Sequence, residues 1–481
     1  MKSKNMFKKA PYLGLGAVLL FSSLTSCKSL EATSKTTNTT MPESYTSSQD
    51  STNTAKVPWK DYFTDPYLNA LIDTALKNNQ ELNIILQEIE VDRSEIRAKK
   101  GEYLPSVGIG AGAGVDKVGR YTSQGANDAN TDIAPGVETP DPLPNYMVGA
   151  FATWEVDIWK KLHNAKNAAV VRYLSSVEGK NFMVTHLISE IASSYYELLA
   201  LDNELEIVKQ NIQIQSDALA IVRMQKQAAR VTELPVKRFE AQLLNTQGLQ
   251  FNIQQEITET ENRINFLLGR YPQTIERDAS NFINLVPDTI YAGIPSQLLT
   301  NRPDIKQAEL ELEAAKLDVK VARAQFYPRL SINAGIGYEA FNPEYFIKTP
   351  QSLLFSLAGD LAAPLINRNA LKAAFYSANA KQIQAIYNYE LALLNGYIEV
   401  ANQLAKIGNM EKSYNLKAKE VATLTESISI SNRLFRSARA DYMEVLLTQR
   451  DALESKFELI ETKQQQMNTF VHMYQALGGG W

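Results

Sequence analysis

The chain has 481 residues, a formal net charge of −4 and a single cysteine. Its Lys and Arg residues are scattered, which argues against a nucleic-acid partner, and one thiol excludes intrachain disulfides and a thiolate metal cluster. The length suits two to four ordinary domains, but a long internal duplication argues for one extended architecture.

At the amino terminus Lys2, Lys4, Lys8 and Lys9 precede the apolar run Tyr12–Phe21, followed by Leu24-Thr25-Ser26-Cys27. About ten apolar residues cannot span a bilayer, so residues 1–26 read as a secretory signal peptide. The ending resembles a bacterial lipobox, implying cleavage before Cys27 and lipidation of its thiol and new amino group. The plainer alternative is an ordinary signal peptide with an incidental cysteine. Lys28, rather than Asp, follows the cysteine, and by resemblance to Gram-negative sorting rules this points to the outer membrane. Ser and Thr make up nearly half of Lys28–Pro58. Residues 27–58 therefore read as a flexible, lipid-anchored linker with too little apolar surface to fold.

The remainder is written twice. Asn78/Asn301, Pro105/Pro328 and Gly112/Gly335 share one offset in sequence number, whereas Arg230/Arg439 and Leu268-Gly269/Leu477-Gly478 share a shorter one. The lost length belongs to the Gly/Asn/Asp/Pro-rich segment Asp116–Asn145, which shortens to Phe341–Gln351 in the second copy. We divide the chain into a first repeat at 59–270, a connector at 271–300 and a second repeat at 301–481.

Each repeat reads helix, two strands, two long helices. The helices Asp65–Lys100 and Pro303–Gln325 open the copies. Strands are expected over Ser106–Asp116, Tyr146–Asp157, Leu330–Ala340 and Leu353–Pro364, roughly the 9–11 residues a tilted strand needs to cross a bilayer. Alternation is plain in Val107/Ile109/Ala111/Ala113/Val115 against Gly108/Gly110/Gly112/Gly114. A soluble hairpin layer would read the same way.

No proline interrupts Ala165–Arg230 or Asn369–Ala438. Leu198, Leu201, Leu205, Val208 and Ile212 recur at heptad spacing, as do Leu453, Phe457, Ile460, Gln464, Met467, Val471 and Tyr474. About 65 helical residues make a rod of roughly 100 Å. Turns at Ala229–Pro235 and Ser437–Tyr442 reverse the chain, with Thr232 or Glu233 starting one return helix and Asp441 a candidate N-cap for the other. The return helices are half as long as their partners, and the opening helices fill the shortfall end to end. Arg302-Pro303-Asp304 reads as a helix start and Gly478–Gly480 as a helix stop.

Four strands cannot close a barrel, because the smallest membrane barrels need about eight and open edges cannot stand in lipid. Anchor, export signal and strands agree if several chains share one barrel. Three chains give twelve strands around a water-filled lumen.

Particular segments resemble the outer-membrane efflux proteins, the TolC-like exit ducts of tripartite pumps. They are Ile294-Pro295-Ser296-x-Leu298-Leu299-x-x-Arg302-Pro303-Asp304-Ile305-x-x-Ala308-Glu309, Ala322-Arg323-Ala324-x-x-Tyr327-Pro328, Trp154-Glu155-Val156-Asp157-Ile158-Trp159 and Ala476-Leu477-Gly478-Gly479-Gly480-Trp481. With the lipobox, the chain is similar to the lipoprotein branch serving resistance-nodulation-division (RND) transporters. The resemblance implies a mainly α fold with a small β part, a homotrimer with a 12-stranded outer-membrane barrel, an α-helical periplasmic barrel and a mixed belt around Gly269–Leu299 and the chain ends. It also implies outer-membrane lipid around the barrel, a periplasmic adaptor and an inner-membrane RND transporter as partners, and passive conduction of drugs or other small solutes.

By the same resemblance the periplasmic tip carries the gate. Candidates are Arg439, Asp441, Tyr442, Glu444 and Leu447, with Arg230, Thr232, Glu233 and Arg439 as adaptor-docking hairpin tips. Three copies of Asp441 or Glu444 near one axis would make an anionic constriction; the plainer reading makes Asp441 a cap and Glu444 a solvated residue. Relatives commonly carry Leu-Asp-Ala before the Gln449-Arg450 pair, so Leu447 here stands at the aspartate.

No cofactor, metal or catalytic site is expected: His163, His186 and His472 lack ligand spacing, and the glycines of 108–112 sit inside a strand pattern. A surface-anchored coiled-coil scaffold or adhesin would explain helices and anchor but not the strand pairs. A duct for ABC-driven protein secretion would explain the fold, although the lipobox and Leu-Gly-Gly-Gly-Trp ending favour a drug-type pump.

Overall fold

A computed structural model describes residues 33–45, 52–287, 291–366, 368–437 and 439–480. The signal-peptide segment and the lipidation candidate Cys27 lie outside those residues. The first copy runs α1 (Pro66–Asn78), α2 (Gln80–Glu102), β1 (Ser106–Asp116), β2 (Leu143–Val156), α3 (Lys161–Gln227) and α4 (Glu233–Leu267). The second runs α5 (Pro303–Ala324), β3 (Arg329–Ala340), β4 (Leu353–Ala362), α6 (Asn369–Arg436) and α7 (Tyr442–Leu477). The β1–β2 loop runs from Lys117 to Pro142 and holds a short helix and a two-stranded ribbon, whereas the β3–β4 loop runs only from Phe341 to Ser352. The extra length falls where the repeat spacing puts it.

The expected single helix over Asp65–Lys100 is two helices, broken at Asn79. The Asn79 side chain accepts from the Leu82 amide at 2.8 Å and donates to the Leu267 carbonyl at 2.9 Å. A short amide that serves both elements offers the backbone an alternative to the helix, and it sets α2 end to end with α4.

α3 and α6 have 67 and 68 residues, each a rod of roughly 100 Å. α4 and α7, with 35 and 36 residues, cover only the distal half of these rods, and α2 and α5 pack along the rest. Both distal turns close alike: the Arg230 amide donates to Gln225 and the Arg439 amide to Leu434, each at 2.9 Å. Such a bond from beyond the helix end satisfies carbonyls the helix leaves orphaned.

Two large apolar cores sit at mid-height. One gathers Trp59, Tyr62, Phe63, Ile72, Tyr195, Phe282 and Phe470, the other Leu298, Ile305, Tyr389, Val400, Met473 and Leu477. Around them the chain ends and the connector form a belt. The Trp59 amide donates to Gly480 at 2.9 Å, Thr54 to Tyr291 at 3.0 Å, and Asn53 to Gln297 at 2.9 Å. Arg277 fastens the connector to Asp202 of α3 and Glu261 of α4, both at 2.5 Å. Tyr414 of α6 donates to the Ile283 carbonyl at 2.9 Å, and buried Lys463 of α7 donates to that of Leu285.

The linker expectation needs correction for residues 33–45. Tyr45 is 1% exposed and stacks on Tyr397 with ring centroids 5.4 Å apart, while Lys35 pairs with Glu390 and lies 4.0 Å over the Tyr387 ring. A segment poor in apolar residues is docked by one aromatic ring and one ion pair, which composition averages away.

Candidate functional site

The four strands form one antiparallel sheet in the order β1-β2-β3-β4, leaving β1 and β4 as its two edges. The register lines up Ile109, Ala150, Ile336 and Phe355 on one face, and Ala111, Val148 and Tyr338 beside them. On that face Ile109 is 86% exposed and Leu357 79%. The other face carries Gly108, Gly110, Gly112 and Gly114, Asn145 bonded to Glu339 at 2.7 Å, and Asn333 bonded to Asp360 at 3.1 Å. Phe151 is its aromatic residue, lying over Gly110, Gly149 and Gly335, where an added Cβ would come within 3.1 to 3.3 Å of the ring. Aromatic cover of this kind compensates glycines that pack nothing themselves.

A sheet apolar on one side, polar on the other and open at both edges is an incomplete object. Unpaired edges invite another strand. Strand directions alternate, so β4 of one copy meets β1 of the next in the antiparallel sense. Where the sheet meets the helices, Trp154 donates to the Tyr103 carbonyl at 3.0 Å and Trp159 to that of Pro328 at 2.7 Å, and Trp159 stacks on Tyr327 at 4.8 Å. This makes a belt of amphipathic rings at one end of the apolar face. Among the described residues no helix is long and apolar enough to cross a membrane.

At the opposite end lie the two hairpin tips. Thr232 and Asp441, which correspond in the two repeats, take the N-cap positions of α4 and α7 in extended conformation, yet neither side chain accepts a capping bond. The cap expected of Asp441 is therefore positional only. Glu233 pairs with Lys226, and Arg223 and Lys237 with Glu240, so the acids of the first tip are paired within its own hairpin. At the second, Arg439, Asp441 and Glu444 have no side-chain hydrogen bond or ion pair among the described residues; the same holds for Arg230 on the first. Asp441, Glu444 and Leu447 recur at helical spacing and all three are exposed, forming one stripe. Tyr442 is half-buried against Leu219, Val222, Val236, Phe239 and Val445, bracing the turn.

Sequence reasoning missed the joints at mid-height. Arg302 is 3% exposed and donates to Asp304 at 2.7 and 3.0 Å, to Glu399 at 2.6 Å and to the Ala476 carbonyl at 2.9 Å. Burial works against its charge, but Asp304 and Glu399 more than offset this and raise its pKa. It is more than the helix start expected. In the repeat, Asn79 holds the matching position in the first copy, and the structure shows it bonding Leu267, the counterpart of Ala476. His163 stacks on Tyr103 at 4.3 Å and pairs with Asp157, and His186 lies 3.4 Å from Gln475. Desolvation, with Lys406 nearby, lowers the pKa of His472.

Comparison with known proteins places this geometry. The model of the outer membrane efflux protein family matches residues 71–270 and 294–479. The solvent efflux pump outer membrane protein SrpC of Pseudomonas putida is 27% identical over 437 residues, 90% of this chain and 89% of that protein. The pyoverdine export outer membrane protein OpmQ of Pseudomonas aeruginosa is 26% identical, over 88% of this chain and 87% of its own. The crystal structure of the open state of the Neisseria gonorrhoeae MtrE outer membrane channel superposes with a TM-score of 0.81 at 21% identity, covering 93% of this chain and 97% of that one.

Proposed function

The chain belongs to the outer membrane efflux protein family, and on that premise we propose that it is the exit duct of a tripartite pump. Three copies close one twelve-stranded barrel in the outer membrane, with Cys27 lipidated beside it and the helices extending into the periplasm. The observation that carries this is the sheet, whose apolar face suits lipid, whose glycine-rich face suits a water-filled lumen, and whose two open edges cannot stand in a bilayer unpaired. Small solutes pass down the tube from an inner-membrane RND transporter through a periplasmic adaptor, with energy supplied elsewhere. SrpC and OpmQ are named for different cargoes, which fits a duct that leaves selection to the transporter.

The second hairpin tip carries the gate in this reading. Threefold symmetry would bring three copies of the Asp441/Glu444/Leu447 stripe near one axis, a cation-favouring constriction edged by leucine. Arg439 sits beside it and Tyr442 braces the turn. Arg230, Thr232, Glu233 and Arg439 form the surface offered to the adaptor. The test is single-channel conductance of the detergent-stable trimer in planar bilayers. Wild type should show a small, cation-selective conductance that rises several-fold in Asp441→Ala/Glu444→Ala. A monomer without conductance would overturn the shared barrel, and an unchanged conductance in the double variant would move the gate elsewhere.

A further inference from the structure

The apolar seam between α3, α4 and α7 is interrupted. Nearer mid-height, Val208 packs with Leu201 and Ile253 and against Phe457. At the tip, Leu219 and Val222 pack with Val236, Phe239 and Val445. Between these separate clusters the buried residues include Asn211 and Gln215 of α3, Thr246 of α4 and Gln449 of α7, none more than 3% exposed. α3 and α7 run antiparallel in one continuous register. His186 meets Gln475 at 3.4 Å, Val208 lies against Phe457, and Leu219 and Val222 cluster with Val445. Gln215 and Gln449 therefore stand at the same level on facing helices, about 18 Å from the end of α3.

The short side chains at this level are satisfied by their own helices: Asn211 donates to the Ile207 carbonyl at 2.9 Å and Thr246 to that of Gln242 at 3.1 Å. The two glutamines differ. Among the described residues, neither amide atom of Gln215 or of Gln449, all buried, has a hydrogen-bond partner. A buried amide left unpaired is costly, and each such group in a native structure calls for an explanation. Leucine at these positions would have continued the seam.

We propose that this polar layer is the slip plane of the hairpins. The described packing leaves the amides unpaired, and a small slide of α7 along α3 pairs Gln215 with Gln449 and moves Val445 past Leu219 and Val222 at the tip. The tip thus holds two states of similar free energy, with the layer preventing the described one from becoming permanent. The slide itself does not depend on the duct reading; its consequence for conduction does.

The experiment uses full-length protein in detergent, spin-labelled at Arg230→Cys and Arg439→Cys and diluted with unlabelled chain. Pulsed dipolar spectroscopy should give two separations for the otherwise wild-type protein. In Gln215→Leu/Gln449→Leu, which makes the seam continuously apolar, the second population should fall at least tenfold. Gln449→Met alone should lower it at least threefold, and serves if the double variant does not fold. A single separation in the wild-type background, or the same distribution in all variants, would overturn the slip plane even if melting temperatures rise. Bilayer recordings on the same samples separate the two readings: if wild type forms no pore while the distances still respond, the duct reading fails and the slip plane stands. Where pores form, open probability should fall with the second population.

Discussion

The two repeats share one scaffold and differ at its joints. In the first, neutral Asn79 bridges from the start of α2 to the Leu267 carbonyl; in the second, charged Arg302 does the equivalent to Ala476 and gathers Asp304 and Glu399. The distal tips diverge in the other direction. Glu233 of the first pairs within its own hairpin, while Asp441 and Glu444 of the second are left for something else. Duplication supplied a symmetrical frame, and substitution at matching positions made one copy an anchor of the belt and gave it a stripe of unpaired acids at the tip.

The most severe way to break that comparison is at the joints. Arg302→Met leaves Asp304, Glu399 and a carbonyl without their cation, and should cost about 3 kcal/mol, since both acids keep access to water. Asn79→Ala removes neutral bonds and should cost about 1–2 kcal/mol. Thermal denaturation of the purified protein should rank them in that order; equal losses would mean the extra charges add nothing.

Glycine tests what the copies still share. Gly269 and Gly478 both have positive φ, and a Cβ on either would lie 2.3 Å from the Asn78 or Asn301 carbonyl oxygen. Alanine at either site should cost about 2–3 kcal/mol, from left-handed backbone plus the contact. Similar melting shifts for the two variants would confirm one mechanical part used twice.

The smallest effect concerns Glu204, which stands where the second repeat has Ser413. Burial, with Glu256 and Glu461 nearby, pushes its carboxyl up to about 7. Because the folded state then binds the proton more tightly than the unfolded chain, stability falls as pH rises from about 4.5 to about 7. Glu204→Gln should remove that slope and stabilise the protein at pH 8 by on the order of 1 kcal/mol after allowing for solvent screening, with no gain at pH 4.5. Melting curves across this range check the sign.

Local pattern determined much of this. The strands begin at or close to where alternation and glycine runs put them, and the helices Lys161–Gln227 and Asn369–Arg436 fill the proline-free stretches. Turn residues marked the hairpin tips, where Asp441, Glu444 and Leu447 share a stripe because helical spacing is a property of neighbours in the chain. Repeat spacing placed the difference in loop length. Contacts across the fold were another matter. Nothing near Asn79 announces that a carbonyl 188 residues away will end its helix, and nothing around Tyr45 marks Tyr397 as its partner. Gln215 and Gln449 carry no mark of burial in the sequence, and only the register of two distant helices buries both. Periodicity belongs to each segment alone, whereas burial and pairing belong to two segments at once, and only the tertiary structure says which two meet.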